Sequence, residues 1–187
     1  MSEMIDILIT NEDFGLEKRA CGEDCYVRYA SRGIVVDPKT NRIAMGVKTK
    51  IKEYKLPGGG KEGEETEEET FEREIFEETG CKIRALKRLG TVREERDNIN
   101  MKQTSTVFVA ELAKDTKKLH LTEKEASEGM EVRWMSLAEA TEAVRKSYDT
   151  VLADNPEDLY RAHFVIMRDL KILEAYADLL RQGKLAK

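Results

Sequence analysis

The chain has 187 residues, enough for one ordinary domain with a sizeable core and a tail. Charged residues make up 37% of it and the formal net charge is −5, a balance that disfavours nonspecific attraction to nucleic acid or to an anionic membrane. A protein of this balance that binds phosphates must do so through a metal and a local basic patch. Met1 to Asp6 carries no basic residue, and the apolar run Ile7 to Ile9 is too short for a signal or spanning segment; the expected compartment is the cytoplasm, with no membrane partner. Cys21, Cys25 and Cys81 are odd in number and no histidine lies near the first two, so idle thiols are expected rather than a zinc site or a disulfide frame.

In chain order, Ile5 to Ile9 reads as a short strand and Cys25 to Val36 as a long one, ending at the turn Asp37-Pro38-Lys39-Thr40-Asn41. Ile43, Met45 and Val47 alternate on a returning strand, so a hairpin leads into Leu56-Pro57-Gly58-Gly59-Gly60, a glycine loop whose backbone can approach a ligand closely. Thr66 with Glu69 forms a capping box that opens a helix, and Gly80 supplies the left-handed residue that ends it. Strands follow over 83–95 and 101–112, joined by the polar turn Asp97-Asn98-Ile99-Asn100, and another over 131–135 with Trp134 in the core. Ser136 with Glu139 caps a helix running toward Tyr148, and Asn155-Pro156-Glu157-Asp158 opens a last one. That helix carries Leu159, His163, Ile166, Leu170, Leu173, Ala177 and Leu180 in one stripe, which packs on the domain or pairs with a second subunit; the first is preferred, a homodimer being the alternative. The chain therefore divides into a domain over 1–150 and a C-terminal helix over 151–187. His163 belongs to that core or interface, and His120 lies in no motif.

Ten glutamates lie between Lys61 and Glu78. At about 100° per residue, Glu74, Glu77 and Glu78 share an arc of about 100°, and Phe71 and Ile75 beside it can anchor the helix to a core. Like charges ~4 Å apart repel by about 1 kcal/mol in water and about 4 kcal/mol when partly buried, so such a cluster calls for a neutralising cation. Mg²⁺ or Mn²⁺ suits oxygen donors of this kind, with a glycine-loop carbonyl as a further ligand. Glu67, Glu68, Glu69 and Glu72 read as a solvated face.

Gly59, Glu65, Arg73-Glu74-Ile75, Glu77-Glu78 and Gly80, at these spacings, resemble the Nudix box of the Nudix hydrolases. The departures are small: Cys81 where an aliphatic is usual, Glu64 where glycine is common, and Phe71 where a small residue is common. The resemblance implies an α/β/α sandwich with a mixed sheet. It implies that Gly59, Glu74, Glu77 and Glu78 hold the metal, that Arg73 clamps Glu65, and that Glu74 and Glu78 serve a hydrolysis of phosphoanhydrides by water. The general base is Glu74 or an acid of the solvated loop 121–128, where Glu125 is the candidate ahead of Glu123 and Glu128. Phosphates would meet Arg28 and Arg32, or Lys55 among the alternating Lys48, Lys50, Lys52 and Lys55, a series that reads first as the wet face of a strand. Arg93 and Arg96 read as surface ion pairs as readily as ligands. The implied partner is a small nucleotide: a nucleoside triphosphate, modified or not, or a nucleotide sugar. A sensing module without turnover is the alternative.

Overall fold

The structure, a computed structural model, describes residues 3–185. Eight strands among them form one mixed sheet: β1 (Ile5–Ile9), β2 (Tyr26–Asp37), β3 (Arg42–Lys48), β4 (Glu53–Lys55), β5 (Gly58–Gly60), β6 (Cys81–Arg96), β7 (Met101–Asp115) and β8 (Met130–Met135). The path across the sheet runs β1-β6-β7-β2-β3-β4, with β5 joined to β2 and β8 to β3. Pairings of β1 with β6 and of β2 with β7 are parallel and the rest antiparallel. The helices are α1 (Glu67–Thr79), α2 (Glu123–Ser127), α3 (Leu137–Thr150) and α4 (Pro156–Arg181). None among the described residues is long and apolar enough to cross a membrane.

Two-residue periodicity divides the sheet's side chains between two cores. On one face Val35, Ala44, Phe108 and Ala110 meet Phe71 and Ile75 of α1. On the other, Ile34, Ile43 and Met45 meet Ala140 and Val144 of α3 and Phe164, Ile166, Ile172 and Leu173 of α4. The result is the expected α/β/α sandwich with a mixed sheet and a C-terminal helix. Phe71 and Ile75 are fully buried, which stabilises the seating of α1 by about 1.5–3 kcal/mol per side chain. Both predicted capping boxes form, on Thr66 and on Ser136, and Gly80 ends α1 at φ 69°. Within the stripe of α4, Ile166 and Leu173 are buried and Leu159 is exposed, while His163 stacks on Tyr148 at 4.2 Å. Trp134 is half-buried against the α1-side core.

Four expectations are corrected. Cys21 and Cys25 are joined in a disulfide, and Cys81 alone is a free, buried thiol; a spacing of four lets a local turn bring the first two together. The three glycines form strand β5 rather than a loop, because β2 continues past the hairpin and offers them its open edge. Residues 123–127 are a helix, capped by Thr122 and Glu125. Arg96 is no surface residue: it is buried, donates to Glu94 Oε1 at 2.6 Å, and lies over the Phe164 ring.

Arg96 belongs to a polar seam beneath the α4-side core. Gln103 Nε2 donates to Glu94 Oε2 at 2.6 Å, and Arg168 of α4 lies 3.7 Å from the same carboxylate. Arg168 Nε donates to Asp169 Oδ1 at 2.7 Å, and Asp169 Oδ2 accepts the Leu56 backbone N–H at 2.8 Å. Burial penalises charge on Glu94, but Arg168, Arg96 and Arg32 outweigh it and hold its carboxyl below the usual range. The seam thus ties the last helix to the strand end just before β5. Removing one partner strands buried charge, so Asp169→Ala is expected to lower unfolding free energy by about 3–5 kcal/mol in urea titration; a loss below about 1 kcal/mol would deny the seam this role.

Candidate active site

α1 and β5, bonded to each other through Glu78 and Gly58, line one cavity of about 290 Å³ that gathers acidic and basic side chains. The acidic wall is Glu74, Glu77 and Glu78 of α1. Glu78 is buried: its Oε2 accepts the Gly58 N–H at 2.9 Å and its Oε1 pairs with Lys55 Nζ at 2.5 Å. Glu74 and Glu77 both accept from Arg73 Nη1, at 2.9 and 3.0 Å. Burial, and then the charge of Glu78, raise the proton affinity of Glu74. A β-carbon on Gly59 would lie 2.4 Å from Glu74 Oε1, so any side chain there would displace that carboxylate.

Arg73 is the clamp that joins loop to helix. Its Nε donates to Glu65 Oε1 at 2.6 Å, and its Nη2 donates to Glu65 Oε2 at 3.1 Å and to the Gly60 carbonyl at 2.9 Å. Glu65 also accepts from the Glu62 N–H and the Thr70 hydroxyl, both at 3.0 Å. The Arg73 bonds hold the Glu65 carboxyl at about 2, and Glu65 in turn raises the guanidinium.

The basic wall is Arg28 and Arg32 of β2, Lys55, and Arg168 of α4. Arg28 donates to the neutral Gln103 Oε1 at 2.6 Å and has no carboxylate partner among the described residues. Burial, then Arg168 and Arg96, lower its affinity for protons. Arg32 is buried, bonds Ser105 at 3.2 Å, and is drawn down to about 9 by desolvation and Arg168, so it stays charged at neutral pH. Two guanidiniums without a direct ion pair among the described residues are a ready receptor for phosphate oxygens.

The lysines from 48 to 55 are not simply a wet strand face. Lys48 reaches inward to Glu53 at 3.2 Å and Glu128 at 2.9 Å, and Lys55 to Glu78. Glu125 lines the cavity, but its Oε2 accepts the Thr122 N–H and hydroxyl, both at 2.9 Å. His120 and Thr122 line it too. His120 stacks on Phe76 and donates its N–H to the Glu77 carbonyl at 2.8 Å, fixing the chain that approaches α2. Sequence reasoning missed His120, Arg168 and Glu53; none stands in a local motif, and only the fold brings them here.

Among the described residues no group of three or more histidine, cysteine, aspartate or glutamate side chains is arranged to hold a metal ion. Glu74, Glu77 and Glu78 line one cavity, with Glu74 and Glu77 paired to Arg73 and Glu78 to Lys55. The donor set still fits a hard divalent cation, since it offers carboxylate oxygens beside a backbone bare of side chain, and the crowding of Glu74 by Glu78 is what a cation relieves. Arg73 takes Oε1 of Glu74 and Oε2 of Glu77, and the second oxygen of each carboxylate is the one a cation could use. The clamp itself has a pH signature: with its folded pKa depressed, Glu65 contributes stability that is full above its ordinary 4.5 and is lost as pH falls toward about 2. The stability gap between the parent and Glu65→Gln should accordingly be constant from pH 6 to 8 and close on acidification through that window; a gap independent of pH from 6 to 2.5 would contradict it.

A family model for the NUDIX domain matches residues 28–154. A search among curated proteins finds no match. Among solved structures, a NUDIX hydrolase from Nitrosomonas europaea is similar in fold, at 14% sequence identity and a TM-score of 0.56, over 81% of this chain and 88% of that one. With the box on β5 and α1, the matched domain and the shared fold, this chain belongs to the Nudix family.

Proposed function

We propose that the protein hydrolyses a phosphoanhydride bond in a nucleoside diphosphate derivative, with Mg²⁺ or Mn²⁺ as cofactor and water attacking phosphorus. One observation carries the reading: the box-helix carboxylates line one small cavity together with Arg28 and Arg32, which form no ion pair among the described residues. Family membership supports hydrolysis of pyrophosphate bonds as the general class. Glu74, Glu77 and Glu78, with the Gly59 backbone, would hold the cation, which supplies charge neutralisation and a more acidic bound water.

The protein's own part is positioning and electrostatics. Arg28 and Arg32 take phosphate oxygens, and Arg168 adds charge behind them. Lys55 stands between Glu78 and the cavity and can follow the phosphates. Arg73 with Glu65 keeps β5 and α1 in register. The proton of the attacking water goes to a glutamate; Glu74 is favoured over Glu125, because burial and Glu78 raise the proton affinity of Glu74 whereas the bonds from Thr122 outweigh burial and lower that of Glu125.

A sensing module without turnover is the second reading, favoured by one observation: Arg73 and Lys55 already neutralise the acidic wall. A screen of nucleoside triphosphates, nucleotide sugars and dinucleotides, read by release of phosphate or nucleoside monophosphate, separates the two. Release with Mg²⁺ that EDTA abolishes is expected, and tight binding without product from any compound would establish the sensor instead. Glu78→Gln should lower kcat at least ~100-fold, as loss of a charge-stabilising group does. Glu125→Gln should lower it less than about tenfold, and a loss like that of Glu78→Gln would transfer the base to α2.

A further inference from the structure

Arg28 and Arg32 bring the first part of β2 to the active site, and the far end of the same strand lines a separate cavity of about 510 Å³. The two share no lining residue. Val36, Pro38, Val109 and Leu185 give the separate cavity apolar walls, while Lys87, Tyr176 and Asn41 bring polar groups to it. Apolar walls with a few polar groups, at this volume, are the usual make-up of a small-molecule pocket.

A β-bulge puts the lysine there. Across β6 and β7 Arg84 pairs with Glu111 and Lys87 with Val109, so Ala85 and Leu86 together oppose Ala110. Ala85 takes φ 51°, a left-handed backbone that is unfavourable for a residue with a β-carbon. Directly paired residues share a face of the sheet, and Val109 packs on the α4-side core whereas Phe108 packs on the α1 side. Without the extra residue Lys87 would pair with Phe108 and share its face; the bulge turns it toward α4. Glu111, the one acid of the lining, accepts from Arg84 Nε at 3.0 Å, and Lys87, the one cation, forms no ion pair among the described residues.

Tyr176 of α4 supplies a second open group. Its side chain is only 5% exposed, yet its hydroxyl makes no hydrogen bond among the described residues. Buried hydroxyls are ordinarily paired, so one left open over a cavity calls for a partner inside it. Burial alone raises the hydroxyl's hold on its proton, which keeps it a donor at neutral pH. The side-chain amide of Asn41, in the β2–β3 turn, is likewise unbonded among the described residues. One uncompensated cation suits a monoanion, and two neutral donors beside it suit an anion with two acceptor oxygens.

We propose that this cavity binds a small monocarboxylic acid, its carboxylate on Lys87, Tyr176 and Asn41 and its hydrocarbon body against Val36, Val109 and Leu185. The site stands apart from the proposed hydrolysis, since none of these residues lines the active site.

Calorimetric titration of the whole protein with octanoate, 1-octanol and acetate reads head group and body separately. Octanoate should saturate one site and bind about tenfold or more tightly than either of the others, because the alcohol lacks the charge and acetate lacks the apolar body. Lys87→Met keeps an apolar stem without the ammonium and should bring octanoate to within about twofold of octanol. Tyr176→Phe removes only the hydroxyl and should weaken octanoate at least about threefold. Its melting temperature should be no lower than the parent's, because no bond within the chain is lost. Absence of saturable octanoate binding, equal affinity for octanol, or an octanoate affinity that either variant leaves intact would overturn the assignment. A lower melting temperature in Tyr176→Phe would show the hydroxyl to be paired already and would overturn it too.

Discussion

One guanidinium organises this molecule's working part. Arg73 bonds Glu65, the Gly60 carbonyl, Glu74 and Glu77, so the strand of glycines, the loop after it and the exposed face of α1 are fixed by a single planar group. A lysine could supply the charge but not four directions at once. Because Arg73 is itself half-buried among carboxylates, its positive charge offsets the cost of packing acids along one helix face. The site is consequently assembled by electrostatics before any ligand arrives.

Charge also sets the opposite wall. Arg28, Arg32, Arg96 and Arg168 gather around Glu94 and Asp169, and like-charge crowding makes the outer guanidiniums receptive to anions. The net charge of −5 conceals this local excess, which is why an acidic protein can still offer a phosphate a favourable surface. The two walls confront each other because β2 carries the arginines on the strand that also pairs with β5.

Local signals were legible in the sequence wherever one residue's role is settled by near neighbours. The capping boxes at Thr66 and Ser136, the left-handed Gly80 and the alternation of Ile43, Met45 and Val47 all report on contacts within a few positions. The box itself is legible for the same reason, since β5 and α1 are adjacent in the chain. What stayed hidden depends on distant pairs. Arg168 looks like one more charge on a long helix until α4 crosses the sheet, and Arg96 looks solvated until Phe164 and Glu94 enclose it. The reading of Cys21 and Cys25 as thiols failed differently: it relied on an odd cysteine count and the absence of a nearby histidine, whereas the turn between the two brings them together. Glu125 shows the limit of motif reasoning, because its loop proved to be a helix that claims one of its oxygens.

Asp169 receives the Leu56 N–H from 113 residues away. A ribosome adding about 5–20 residues per second needs roughly 6–23 s to cover that distance. Once residue 81 has been added the emerging polypeptide holds the whole box yet lacks, until residue 169, the anchor that sets the strand before it. The groove is thus braced only after Asp169 has been made, and a chain cut between residues 81 and 169 would carry a recognisable signature without that brace.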